Sequence, residues 1–554
     1  MKIFKSSILS VSVATAGLLM GSCSDSFLDV SSKTESNTET FYKTEGDAWR
    51  ALLGCYDGWR QVSSNPGIGF YVASTVMSDE CYGATGYTDA RNYQVIDRFD
   101  QSESPADLTI YAQDWAVYYA GVYRCNQLIS REESFEWSET DSKRQLYMGE
   151  CRAIRALLYF DMVRLWGNIP LFLEPVSENR EQADPKEVYK AIIDDLKYAV
   201  ANIPADAYPK ANAAQNDGHV TKYAAEAILA RVYLFYTGYF KAEPENLTKQ
   251  EVLDALEDVV KSNEFQLVAD YKDLWPAASL VPLADSKGWD AEKSTYAGEA
   301  NSEVILQMKF TPSQDYNGNN DSNRWQVMMG MRNLNSSPYG KGWGACTVCP
   351  NFLDNYANND PRRKASVIDM DGEGITGLGD FEASYNDWRD YTGYTVKKYS
   401  PLAFPNGNSA SQESGNGDFQ ITNPQNWVIM RYADVLLMVS ELGGVPSKSA
   451  QAALDEVRAR AGLNSIAATK DNILAERAVE LAFEGHRYWD LLRQGVDVLA
   501  DAIVASAGDV TNGGTPGSVT FDKNLIIEKQ GLSQIPRDQI ILSNGVLKQN
   551  PGWN

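Results

Sequence analysis

Apolar positions along this chain recur mostly at three- and four-residue steps, the period of one helix face. Cys151, Ile154, Leu158, Met162 and Leu165 make such a stripe. It predicts a helix in GECRAIRALLYFDMVRLWGNIP, from Gly149 to Pro170, stopped at Gly167 with Pro170 just beyond. Arg152, Arg155, Asp161 and Arg164 fall largely off the stripe, and small Ala153 and Ala156 permit close packing against neighbouring helices. The same period runs through Ala48, Leu52, Cys55 and Trp59, through WAVYYAGVYRCNQLI from Trp115, and through Val188, Ile192, Leu196 and Val200. Thr221 is placed to cap a further helix whose face carries Ala224, Ala227, Ile228, Val232 and Phe235. Leu253 to Val260 closes this run. The alternation suits stacked helix pairs, although no tight repeat of about 34 residues can be laid over it.

Between Trp275 and Gln425 the helical period is lost and Gly, Asn, Asp, Tyr and Trp dominate. Val304 to Phe310 and Gly393 to Tyr399 are expected to form short strands. Irregular stretches of this length inside a compact protein usually carry function. Helical periodicity returns at Trp427. The expected fold is mainly α, with a loop-rich, mixed second half.

The first 22 residues change the picture of where the chain works. Lys2 and Lys5 precede an apolar run from Ile8 to Met20, which reads as a signal peptide over 1–22. Gly21 and Ser22 then lead into Cys23, as in a bacterial lipobox, so Cys23 is the expected lipidation site. Residues 23–40 are polar and read as a tether, followed by a helical region over 41–265 and a second region over 266–554. The formal charge of -24 repels phosphate backbones, which argues against a nucleic-acid partner. Cys346 and Cys349 have C-x-x-C spacing but no surrounding βαβ pattern, so a local disulfide or two free thiols is expected rather than redox catalysis.

Candidate chemistry is sparse. The chain has 2 His, His219 and His486, each beside helix signals, and no metalloprotease, nucleophile-elbow or phosphate-loop motif. Glu480 and Glu484 stand at i,i+4 and read as ion-pair partners of Arg477 and Arg487 rather than as a catalytic pair. No enzyme is expected. Asp369, Asp371, Glu373 and Asp380 fall at positions 1, 3, 5 and 12 around Gly374, the spacing of a calcium loop. An acidic Gly-rich turn is the first reading of that stretch, and a bound Ca²⁺ the alternative.

Aromatic rings in the irregular stretches carry the main functional signal. A sugar's C–H face stacks on an electron-rich ring while polar side chains bond its hydroxyls. Trp325, Tyr339 and Trp343 in NRWQVMMGMRNLNSSPYGKGWG fit that role. So do Tyr82, Tyr87 and Tyr93, with Arg91 beside them. Trp343, set between Gly342 and Gly344, is the expected principal platform, with Trp325 as its partner.

Several stretches also resemble one family. The Gly149–Pro170 helix, GHVTKYAAEAILARVYL, PNFLDNYANNDPRR, WVIMRYADVLLMVSE, ALDEVRARAGL, ILAERAVELAFEGHRYWDLLRQG and the closing IPRDQIILSNGVLKQNPGW are similar, in order, to the SusD/RagB family of outer-membrane nutrient-binding lipoproteins. The resemblance implies a tetratricopeptide-like scaffold and a lipid-anchored, surface-facing protein. It implies capture of a glycan and delivery to a SusC-like TonB-dependent transporter, without bond breaking. It also implies ligand contacts from the two ring-bearing stretches. Peptide capture of the RagB kind is the alternative, and a glycan-acting hydrolase the rival class.

Overall fold

A computed structural model describes residues 41–138, 142–212, 218–284, 287–313, 320–411 and 417–553. The signal peptide, Cys23 and the tether up to residue 40 lie outside the described residues. Among the described residues, no helix is long and apolar enough to cross a membrane.

Among the described residues, six helices of more than ten residues build the first half: α1 (Glu45–Ser64), α2 (Ala112–Ile129), α3 (Lys143–Trp166), α4 (Pro185–Asn202), α5 (Lys222–Phe240) and α6 (Lys249–Lys261). Each start has a local cause. Thr44 and Asp47 form a reciprocal capping box on α1, and Thr248 and Glu251 do the same on α6. Thr221 accepts a hydrogen bond from the Ala224 amide at 3.0 Å, as its position predicts. Each helix packs on the next in the series, and α1 also touches α3. The architecture is the mainly α, tetratricopeptide-like stack expected from the sequence.

The α3 helix departs from the amphipathic reading. It is buried from Tyr147 to Trp166 except at Arg152, so its charged residues lie inside. Arg155 grips Asp195 of α4 with two bonds, at 2.7 and 2.8 Å, and reaches Asn126 of α2 at 2.7 Å. Arg164 pairs with Asp161, which also accepts from Tyr118. These charges are tolerated because each meets a fixed, hydrogen-bonded partner.

The second half adds α7 (Tyr432–Glu441), α8 (Ala450–Arg460) and α9 (Lys470–Glu480), with short strands between. Strands form at Val304–Met308 and Tyr394–Val396, inside the segments expected to hold them. Val304–Met308 pairs antiparallel with Trp427–Arg431. A four-stranded antiparallel sheet runs in the order Cys81–Gly83, Cys346–Val348, Tyr394–Val396, Val367–Asp369. Its first strand comes from the helical half, so that sheet stitches residues 81–83 into the loop-rich half, and Thr85–Gly86 pairs separately with Trp388–Arg389. One apolar core runs through both halves, and a smaller one built on Met331, Leu334, Tyr339, Ile368, Trp388 and Tyr391 lies among the loops.

Glu480 and Glu484 do not share a helix, because α9 ends at Glu480. Nor do they pair with Arg477 and Arg487, which bind Asp434 with Asp490 and Asp79 respectively. Glu480 instead meets Arg362 at 2.9 Å, Arg431 at 2.6 Å and Arg460. Glu484 meets Arg431 and Lys398, and Arg431 also meets Glu303. Burial alone would raise the Glu480 carboxyl, but the guanidiniums of Arg460, Arg431 and Arg362 outweigh it and hold it well below the usual carboxylate range. Their role is structural, as expected, with partners set by the tertiary fold.

Candidate functional site

The ring-bearing stretches divide into core and surface. Trp325 is 0% exposed. Its indole stands edge-on to Tyr71 at 4.8 Å and to Trp427 at 5.2 Å, and a Cβ on Gly69 would collide with it at 2.1 Å. It is a core ring, and the expectation of a stacking platform there is corrected. Tyr82 is also fully buried, on the sheet strand Cys81–Gly83, with its hydroxyl donating to the Ser506 carbonyl. Tyr93 is buried in the short helix Asn92–Arg98. Tyr339 is buried, donating to Glu373 at 2.6 Å with the Lys397 ammonium 5.3 Å from its ring centre. Tyr82, Tyr93 and Tyr339 therefore offer no open ring face to a ligand.

Tyr87, Arg91 and Trp343 do reach the surface. Tyr87 is 49% exposed, and its ring lies against Gly513 in the turn of the hairpin formed by Gly508–Asn512 and Thr515–Val519. Arg91 is exposed and pairs with Glu103 at 2.7 Å. Trp343 is half-buried, with the Arg324 guanidinium 4.7 Å from its ring centre.

The glycines flanking Trp343 serve close packing. The Trp343 amide donates to the Val327 carbonyl and the Gly344 amide to Gly330, both at 2.8 Å. A Cβ on Gly342 would sit 2.3 Å from the Val327 carbonyl oxygen. Gly344 has φ +70° and would meet the Trp388 indole. The loop is thus pinned to the short helix Arg324–Met329 beneath it.

Arg332 lies between the Tyr87 turn and the Trp343 loop. Its guanidinium pairs with Asp387 at 2.8 Å and with Asp89 at 3.1 Å, and donates to the Trp343 carbonyl at 3.4 Å. One side chain therefore ties the Tyr87 turn to the Trp343 loop. Arg389 fixes the turn from inside, donating to the carbonyls of Tyr87 and Asp89 and to Gln94 and Thr85. The Tyr87 amide completes the clamp on the Asp387 carbonyl at 2.8 Å. Tyr385, half-buried and stacked on Phe381 at 5.6 Å, lies beside the same hairpin turn at Gly514. The arrangement presents aromatic faces beside carboxylates and guanidiniums on braced backbone. Sequence spacing gave no sign of Arg332, Asp89 or Asp387, because their meeting depends on strand pairing between Thr85–Gly86 and Trp388–Arg389. Tyr385 was findable as one more ring in the irregular region.

The calcium reading is also corrected. Asp369 accepts its own turn's Gly372 amide, Asp371 accepts from Thr376, and Glu373 is held by Lys397 and Tyr339. Asp380 precedes the short helix Phe381–Asn386. These four carboxylates do not converge. Among the described residues the convergent set of His, Cys, Asp or Glu is Cys55, Cys125 and Cys151. Cys346 and Cys349 are free and buried, and burial pushes both thiols up, away from redox use. His219 Nδ1 donates to the Glu150 carboxylate at 2.7 Å. Burial and the Arg231 charge push His486 down to about 3.

A stack of helix pairs thus carries a hydrogen-bonded, ring-bearing loop region. The profile of the SusD family matches residues 302–553, and a second, described as starch-binding associating with outer membrane, matches residues 26–234. The chain belongs to the SusD family. It is 24% identical to SusD-like protein P38 of Formosa agariphila over 89% of this chain and 92% of that one. It is 26% identical to a SusD-like protein of Bacteroides ovatus over 89% and 83%. A solved laminarin binding SusD-like protein superposes with TM-score 0.69 at 26% identity, over 92% of this chain and all of that one. Surface glycan-binding protein A from Bacteroides thetaiotaomicron, solved with laminarihexaose, superposes with TM-score 0.71 at 22% identity over the same shares.

Proposed function

We propose that this protein is a lipid-anchored surface receptor that binds an oligosaccharide or polysaccharide and breaks no bonds in it. It hands the glycan to a SusC-like TonB-dependent transporter in the outer membrane. The observation that carries the reading is the Arg332-braced surface bearing Tyr87 and Trp343, with Arg91 and Tyr385 nearby. The exposed Tyr87 ring and the half-buried Trp343 ring match the C–H faces of sugars, and the adjacent Asp89, Asp387 and Asn386 match hydroxyls. The laminarin and starch named for relatives support glycan as the ligand class. Cys23 supplies the anchor in this reading, and the broad helical faces supply transporter contact.

Native affinity gels containing laminarin, starch or other polysaccharides test the first part. Retardation by at least one, with no new reducing ends after incubation, is expected. Free migration in every gel together with an empty glycan array defeats the reading. Mild detergent extraction of the native membrane tests the second part, where co-purification with a β-barrel transporter is expected and recovery as a monomer counts against it.

A further inference from the structure

Three thiols outside the candidate site meet in the helical scaffold. Cys55 on α1, Cys125 on α2 and Cys151 on α3 are each 0% exposed. The Sγ atoms of Cys55 and Cys151 are 3.7 Å apart, and all three sulfurs lie within 4.8 Å of one another. The seam holds them there because α1 and α2 cross on glycine. A Cβ on Gly58 would lie 2.9 Å from the Gly121 Cα, so the two backbones are nearly in contact one turn from the thiols. Arg155, one turn beyond Cys151, fixes the third helix through Asn126, the neighbour of Cys125.

We propose that Cys55, Cys125 and Cys151 form a trigonal, all-sulfur site for a soft monovalent cation, copper(I). Metal–sulfur bonds of about 2.3 Å put the sulfurs of a planar triangle about 4.0 Å apart. The 3.7 Å separation is close to that edge, whereas a disulfide needs about 2.05 Å and joins only two of the three. The group takes in no further His, Cys, Asp or Glu among the described residues. Soft thiolates suit copper(I), zinc and iron–sulfur clusters, but the last two take four protein ligands in structural sites, so three thiols favour copper(I). On binding, copper stays in its +1 state. One S–H bond breaks for each thiolate formed, and that proton passes to solvent. The seam is closed in the folded chain, so the ion enters before α1 closes onto α2 and α3.

Full-length protein is loaded by two routes: export in copper-supplemented cells, and anaerobic refolding of the reduced chain with copper(I). About one copper per chain is expected by elemental analysis, with copper(I)–thiolate luminescence and a higher melting temperature than the metal-free chain. Cys125→Ala should lose the ion, as should Cys55→Ala, which serves if the first variant does not fold. Cys346→Ala, outside the group, should keep it. Absence of copper by both routes overturns the proposal. So does copper retained in both ligand variants, or alkylation of the unfolded native chain showing two of the three thiols joined as a disulfide. Zinc in place of copper overturns the choice of ion.

Discussion

Replacing Tyr87 by Ala separates ligand binding from folding. An aromatic side chain has about 200 Å² to bury. With Tyr87 49% exposed, roughly half of that, about 100 Å², is left for a ligand. At about 25 cal/mol per Å² the ceiling is about 2.5 kcal/mol. Base–aromatic stacking, the nearest calibrated case, gives about 1–3 kcal/mol per ring. The expected loss of about 1–2.5 kcal/mol is roughly 5- to 70-fold in affinity. Folding should hardly change, because the inner face of the ring rests on Gly513 at the tip of a hairpin. A loss of up to about 1 kcal/mol moves the melting temperature by only about 2–4 °C. Calorimetric titration with a glycan that retards the native protein gives the first number, and a thermal melt gives the second. Unchanged affinity for that glycan would falsify the platform at Tyr87. A large drop in melting temperature would show that the ring is structural despite its exposure.

Trp325→Ala should behave oppositely, costing about 3–5 kcal/mol of stability in a thermal or denaturant melt because it empties a fully buried indole site. Retained stability with lost binding would return Trp325 to the surface. Glu480 has a folded pKa held below its ordinary 4.5, so its ion pairs stabilise the protein fully above that value and the contribution is lost as pH falls below it. Glu480→Gln should therefore lower stability at neutral pH by about 3–5 kcal/mol and flatten the acid limb of the stability curve. An unchanged acid limb counts against the network. Cys23→Ala should move the protein from the outer-membrane fraction to the soluble one, because in the proposed reading a lipid on Cys23 supplies the membrane affinity. Unchanged fractionation of that variant rules out lipidation at Cys23 as the anchor.

Local pattern carried the scaffold. The stripe through Leu52, Cys55 and Trp59 is the buried face of α1, and the short strands fall inside the segments expected to hold them. Pattern could not carry the fate of single rings in irregular backbone. Trp325 is buried by Tyr71 and Trp427, partners on opposite sides of it in sequence. Arg155 reads as a solvent residue until Asp195, forty positions on, arrives on the next helix. Arg332 bonds both Asp89 and the Trp343 carbonyl only because the fold brings the Tyr87 turn and the Trp343 loop to it. In each case the deciding contact is long-range, and a period along the chain contains no information about it.

The buried charge cluster has a consequence for recombination between relatives. Arg362 precedes the calcium-like turn, Glu303 opens the strand paired with Trp427–Arg431, and Glu480 closes α9, yet all are joined through one set of guanidiniums. Removing any one partner leaves an uncompensated charge in the interior. A chimera that exchanges Val304–Arg431 without Arg460, Glu480 and Glu484 imports charges into a frame not cut for them. An exchange confined to the Tyr87 turn and the Trp343 loop leaves that frame intact. On the proposed reading, glycan preference could be transplanted in such small pieces, whereas the frame beneath must be inherited whole.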